Sequence, residues 1–211
     1  MTQDASIDVV VVGAGPAGMT VGSCLAESGI RVLVLDENSA PGGQVYRSVE
    51  KVTDNRTADS IVLGSHYRNG SKLVERLHSS GAQYWSSTSV WEISAAEESM
   101  LAVGVVRDGR IRMIQTGHIV LATGAMERPT PFPGWTLPGV MTVGAAQSLF
   151  KASGLVPEGR IALAGSGPLF YLYASQLIKA GITPQVILDM QPRLSWQAKL
   201  SVLAALPADP A

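Results

Sequence analysis

Six residues near the start of the chain limit its fold more than any other feature. Ile7–Val12 reads Ile-Asp-Val-Val-Val-Val, a β-branched run of the kind that forms a strand buried on both faces. It passes without a break into Gly13-Ala14-Gly15-Pro16-Ala17-Gly18. Good helix formers at helical spacing continue over Met19–Ser28, and Gly29 is a natural stop. A second apolar run, Arg31–Leu35, ends at Asp36. Strand, glycine turn, helix and strand in this order predict a βαβ unit and an α/β fold with a parallel sheet.

The glycine turn also carries chemistry. Gly13 allows the sharp turn, Gly15 lets a pyrophosphate approach the backbone, and Gly18 lets the helix pack close to the sheet. The helix start aims unpaired N–H groups and a positive dipole end at the phosphates, with Ala14 and Ala17 in the same turn. Pro16 suits a first helical turn, where its missing N–H costs little. Asp36 stands eighteen residues beyond Gly18, in place to accept bonds from ribose hydroxyls. Glu37 is the rival, and spacing favours Asp36. An acid there implies an unphosphorylated ribose, hence FAD or NAD rather than NADP.

Composition narrows the remaining choices. Charged residues are 16% of the chain and apolar ones 46%, against about 25% charged in ordinary soluble proteins. Such a chain buries much of itself in a core, around a ligand or against a partner protein. Sixteen basic and seventeen acidic residues without a basic patch exclude nucleic acid as an expected partner. A single cysteine excludes an internal disulfide framework, a CxxC pair and a cysteine-based metal or iron–sulfur site. Cys24 reads as a small core residue. His66, His78 and His118 lack metal-ligand spacing, so no metal site is expected. The N-terminal Met-Thr-Gln-Asp-Ala-Ser has no basic region, and no apolar run approaches the roughly 20 residues of a membrane span. A cytoplasmic location is the default expectation.

Farther along, Pro41-Gly42-Gly43 is a turn whose backbone can approach a flat ligand, with Gln44 and Arg47 beside it. An ordinary surface loop is the alternative. Val49–Tyr67 has no readable period. Ser71–Ser80 reads as an amphipathic helix with Leu73, Val74 and Leu77 on one side. Ser89–Ile93, Leu101–Val106 and Arg110–Gln115 read as short strands of an antiparallel meander, and Asp108-Gly109 marks a hairpin turn. His118–Ala122 is a further buried strand, closing on Thr123-Gly124-Ala125, where small residues let the backbone face a cofactor or simply turn. Glu127–Pro138 is a proline-rich linker or pocket wall, in which Trp135, like the neighbouring Met126, serves packing. Thr142–Ser153 is predicted helical.

The opening pattern then returns. Ile161–Ala164 is a strand, Gly165-Ser166-Gly167-Pro168-Leu169-Phe170 the turn, Leu172–Lys179 a helix, and Gln185–Leu188 a strand ending at Asp189. Gly13 to Gly29 and Gly165 to Gly181 both span sixteen positions, an internal repeat of a dinucleotide-binding half. Phe170 stands where the third glycine belongs, so the copy is either a second site, for NAD(P) through Gly165 and Gly167, or a structural unit. Pro192–Ala211 holds a further helical stretch and an Ala/Pro tail. One βαβ unit cannot cover both faces of its sheet, so the chain is expected to be a fragment or to be completed by another polypeptide.

Gly13–Gly18, Pro41–Arg47, Gly165–Pro168 and above all Ala122-Thr123-Gly124-Ala125-Met126-Glu127-Arg128-Pro129 with Phe132-Pro133-Gly134-Trp135-Thr136-Leu137-Pro138-Gly139-Val140 resemble the two-dinucleotide-domain flavoproteins. Within them the wording is similar to the A subunits of opine (octopine or nopaline) oxidases and the B subunits of hydrogen cyanide synthases. The resemblance covers nearly the whole chain but about the first half of a usual member. It implies a three-layer Rossmann-like FAD-binding domain with a β-meander over residues 1–155, and the first part of an NAD(P)-type Rossmann-like domain over 156–211. It also implies that Gly13, Gly15 and Gly18 cradle the FAD pyrophosphate, that Asp36 holds the adenosine ribose, that Gly43 and Gln44 lie by the flavin, and that Thr123 and Gly124 line its nucleotide portion.

The expected activity is FAD-dependent oxidation of an amine or opine-like amino-acid derivative by hydride transfer, with a second oxidoreductase chain for a partner. Arg47 is a candidate for holding a substrate carboxylate by a bidentate contact; a solvated arginine is the alternative. Two rival expectations are a truncated, non-catalytic or partner-dependent chain, and an NAD(P)H-dependent flavin reductase using the second repeat.

Overall fold

Ile7–Val12 forms β1, and the β-branched run is buried as its composition requires, with Val10 and Val11 at 0% exposure. The computed structural model describes residues 7–54, 62–97 and 100–190. They fall into two compact units, Met1–Val156 and Pro157–Ala211.

In the first unit β1 is succeeded by α1 (Pro16–Glu27), β2 (Val32–Leu35), the short helices α2 (Val49–Asp54) and α3 (Ser65–Arg68), and α4 (Gly70–Ser79). Then come β3 (Gln83–Trp85), β4 (Thr88–Ala95), β5 (Leu101–Arg107), β6 (Arg110–Leu121) and α5 (Val143–Ser153). The strands make one six-stranded sheet in the order β3-β2-β1-β6-β5-β4. β3, β2, β1 and β6 run parallel, and β4, β5 and the start of β6 form the antiparallel meander. Asp108 and Gly109 make the β5–β6 hairpin turn with φ of 52° and 69°, the left-handed pair a two-residue hairpin needs.

Sequence alternation sorts the side chains into layers. Val10, Leu33 and Leu35 of the parallel strands cluster with Val103 and Val105 of β5, with Trp85 and Ile119 packed against them. The meander thus lies over one face of the parallel strands. On the other face α1 sits so close that a Cβ on Gly22 would stand 2.6 Å from Val34 Cγ2. Helices, parallel strands and meander are the three layers that the resemblance implies. Truncating Leu35, fully buried, would cost about 2–5 kcal/mol.

Three local expectations change. The pieces Arg110–Gln115 and His118–Ala122 are one strand of 12 residues that passes through Gly117. It begins in the meander, paired with β5, and ends parallel to β1. Cys24 is exposed rather than in the core; it lies on the side of α1 where Arg76 Nη2 reaches its Sγ at 3.3 Å. Met126 and Trp135 are 89% and 42% exposed, so neither fills a core in this chain.

The second unit contains β7 (Ala162–Gly165), α6 (Pro168–Lys179) and β8 (Val186–Asp189), with β7 and β8 parallel. The expected helix within 192–211 lies outside the described residues.

Candidate functional site

Strand β1 ends at Val12, where main-chain bonds to both neighbouring strands fix the path of the chain. Gly13 N donates to Leu35 O of β2 at 2.7 Å, and Ala122 N, just past β6, donates to Val12 O at 2.8 Å. The carboxyl ends of three parallel strands are thereby drawn together, and a cleft of about 470 Å³ opens above them. That is the position of ligand sites in open α/β sheets, and the volume lies within the range of about 300–1,000 Å³ seen for ligand pockets.

The glycines of the turn divide their work. Gly15 is the bare one: a Cβ built there meets nothing within 4 Å, so its α-carbon faces open space. Gly13 adopts φ of 102°, and a Cβ there would fall 2.4 Å from Ala122 O. Gly18 is buried under the turn, and its Cβ would collide with Gly13 O. Gly13 therefore borders the cleft but is required by the junction with β6. Gly18 lets α1 meet the turn. Pro16 occupies the first position of α1, and Gly15 is its N-cap without any side-chain bond. The amides at this helix start remain available to an anion.

Ala14 and Ala17 do not border the cleft. Ala14 is fully buried and ties the turn to two loops. Its N–H donates to Asp36 Oδ2 at 2.6 Å, and its carbonyl accepts from Gly42 N at 2.8 Å.

Asp36 borders the cleft but is 6% exposed. Its second oxygen accepts from Asn38 N at 2.7 Å and Asn38 Nδ2 at 2.8 Å. Glu37, beside it, borders the same cleft and is exposed. Spacing in the sequence favours Asp36 for the ribose; the geometry leaves Glu37 the carboxylate open to a ligand.

The opposite wall is the loop after β2. Gly43, at φ of 59°, packs on the turn so closely that a Cβ would lie 3.0 Å from Gly15 Cα. Gln44, Val45 and Arg47 continue along the cleft. Arg47 is half-buried, its Nε is shielded from solvent without a hydrogen-bond partner, and no carboxylate pairs with it among the described residues. Thr123 and Gly124 close the remaining side.

Sequence reasoning missed Asn38, Thr88 and Val90 in the lining, and Lys151 behind it. Lys151, on α5, is 8% exposed. Its ammonium donates to Gln44 O, Val45 O and Gln147 Oε1, each at 3.0 Å. Burial first, and the neighbouring Arg47 charge second, push its pKa down to about 8. No period or motif marks this lysine, because two of its partners are main-chain carbonyls more than a hundred residues away.

In the second unit Gly165 and Gly167 have φ of 157° and 96°, and a Cβ on Gly167 meets nothing within 4 Å. Phe170 is 3% exposed, and its ring lies 3.5 Å from where a Gly165 Cβ would be. It stands at the position that Gly18 holds in the first copy, where even a Cβ would collide with Gly13 O. Asp189 accepts a short hydrogen bond from Tyr171 Oη. Among the described residues no helix is long and apolar enough to cross a membrane, and no group of three metal-ligating side chains converges.

A three-layer sheet, a bare glycine turn and an acid-flanked cleft at the strand ends define an α/β protein of the dinucleotide-fold class. The chain belongs to the pyridine nucleotide-disulphide oxidoreductase family, whose sequence profile matches residues 7–204. It is 47% identical over 186 residues to the A subunit of opine oxidase from Agrobacterium tumefaciens (strain Ach5), covering 86% of this chain and 36% of that protein. It is 37% identical over 173 residues to the HcnB subunit of hydrogen cyanide synthase from Pseudomonas aeruginosa, covering 82% of this chain and 36% of that protein. L-proline dehydrogenase from P. horikoshii shares the fold, with a TM-score of 0.68 over 90% of this chain and 37% of its own, at 22% identity. The chain thus spans about a third of the length of the curated relatives, less than the half expected from the resemblance.

Proposed function

We propose that the cleft holds the ADP portion of FAD and that the chain is the cofactor-gripping part of an oxidoreductase acting on an amine or opine-like amino-acid derivative. The observation that carries this reading is Gly15: open space at its α-carbon, at the start of a helix whose first amides are uncapped, fits a diphosphate. In this reading Gly13, Gly15 and Pro16 frame the diphosphate, while Glu37 holds the adenosine ribose with Asp36 fixing the turn behind it. Thr123 and Gly124 back the nucleotide, and Gly43 and Gln44 approach the flavin.

FAD, when bound, supplies a two-electron acceptor for a hydride from a C–H beside nitrogen, and water hydrolyses the resulting imine. The chain's own contribution is to bind, orient and exclude solvent. Arg47, a half-buried cation with an orphaned Nε, suits a substrate carboxylate. The relatives are themselves named as subunits, which supports a second polypeptide for a partner. Phe170 in the place of the third glycine supports a structural role for the second unit rather than NAD(P) binding.

Titration of the purified chain with FAD, monitored by flavin fluorescence, tests the proposal. Saturable binding at one FAD per chain is expected. Anaerobic addition of an opine together with the partner chain should then bleach the oxidised-flavin band, whereas NADH or NADPH alone should not. A chain that never binds FAD, or one whose flavin NADH reduces directly, would overturn it.

A further inference from the structure

The loop Gly42–Arg47 forms a wall of the cleft, yet it has no regular secondary structure to hold it. Its carbonyls are instead tied from behind. Lys151 donates to Gln44 O and Val45 O at 3.0 Å each, and its third proton goes to Gln147 Oε1 at 3.0 Å. Tyr67 Oη donates to Arg47 O through a short bond. The Tyr67 ring also lies 5.9 Å from Lys151 Nζ, within the distance at which a cation is attracted to an aromatic face. All three ammonium protons thus go to neutral oxygens, and the lysine is a buried cation without a counter-ion among the described residues.

This arrangement aims the loop. A trans peptide sets the N–H of each unit opposite its carbonyl. With Gln44 O turned toward Lys151, the Val45 N–H points away from it. Gly43, Gln44 and Val45 all border the cleft, and none of their amides meets an acceptor among the described residues. The loop is also coupled to the glycine turn, because Gly42 N donates to Ala14 O at 2.8 Å and Tyr46 N to Gly42 O at 3.0 Å.

We propose that Lys151 is a positioning residue for the nucleotide site: its ammonium anchors the carbonyls of Gln44 and Val45 so that the amides of this loop and the Arg47 guanidinium are presented to the bound cofactor. This inference rests on the FAD reading above, but its test separates the two. Lys151 loses its charge near pH 8, since burial and then Arg47 lower its pKa. The charged or titratable groups facing it are Arg47 from the loop and Tyr67 from α3; α5 itself contributes neutral Gln147. Tyr67 titrates only at about pH 12, pushed up by burial, so of this pair only Lys151 changes charge near pH 8.

Two measurements on the full chain decide the matter. In the ligand-free protein, hydrogen exchange at the Gly42 and Tyr46 amides should accelerate in Lys151→Met about tenfold or more, as expected for losing bonds to a charged donor. FAD affinity should fall about tenfold between pH 7 and pH 9 in wild type and stay flat in Lys151→Met, which should already bind at the weaker level at pH 7. Unchanged exchange in a folded Lys151→Met would overturn the proposal. So would a pH-independent wild-type affinity, a measurement that stands even if the variant does not fold. If wild type binds no FAD, the functional reading fails while the exchange measurement still judges Lys151.

Discussion

The main-chain N–H of Ala14 donates to Asp36 Oδ2 at 2.6 Å, across 22 residues of sequence. This bond joins the glycine turn to the end of β2, and with Asn38 on its other oxygen it occupies both sides of the carboxylate. Asp36→Asn would set a donor against donors. It should destabilise the chain by about 1–3 kcal/mol, read as a lowered urea midpoint. Glu37→Gln should leave the midpoint unchanged and weaken FAD binding about tenfold, the effect of one charge-assisted bond. The reverse pattern would return the ribose to Asp36.

Gly18→Ala should damage folding rather than binding. Its new methyl group would collide with Gly13 O, inside a junction made of backbone. Gly13→Ala should act alike, because φ of 102° is strained for any side chain and Ala122 O blocks the space. Each should cost about 1–3 kcal/mol or more, measured by thermal or urea unfolding without ligand.

Most of this architecture is legible in the residues. The two βαβ units, the hairpin at Asp108-Gly109 and the bare turn at Gly15 rest on local rules of period and turn chemistry, and local rules survive folding. The different settings of Asp36 and Glu37 cannot be read from spacing, since they depend on which carboxylate the Ala14 amide captures. Cys24 reads as a core residue because small apolar side chains on a first helix usually are. It is exposed instead, on the side of α1 that faces Arg76 of α4, a tertiary relationship with no sequence mark. Lys151 is invisible in the sequence for the same reason.

Asp8 should make the chain acid-sensitive. Arg31 donates to it through Nε at 2.9 Å, through Nη2 at 2.5 Å and through its main-chain N–H at 3.0 Å. These bonds hold the Asp8 carboxyl down to about 2, from an ordinary 3.8. A folded-state pKa below the unfolded one gives stability that is present above pH 3.8 and lost as pH falls through about 2. The Tm advantage of wild type over Asp8→Asn should therefore be full at about pH 5 and shrink between about pH 4 and pH 2. An advantage independent of pH in that range would contradict the pairing.

Lys151 gives a slope of the same sign in a higher pH window. Its folded pKa of about 8 lies below the ordinary 10.5, so between these values the unfolded chain binds more protons and stability rises with pH. The difference in unfolding free energy between wild type and Lys151→Met should shift in favour of wild type from about pH 8 to about pH 10. A flat difference would mean that burial leaves the proton affinity of this lysine unchanged.

The most direct measurement compares FAD affinity and unfolding midpoint for wild type and Gly15→Val. The valine side chain would project into the space where no atom lies within 4 Å, so the fold should tolerate it while the diphosphate loses its seat. The expected result is an unfolding midpoint close to that of wild type and FAD affinity reduced about a hundredfold or more, on the order of a lost close-packed anion site. A folded Gly15→Val chain that binds FAD as tightly as wild type would contradict the placement of the cofactor in this cleft.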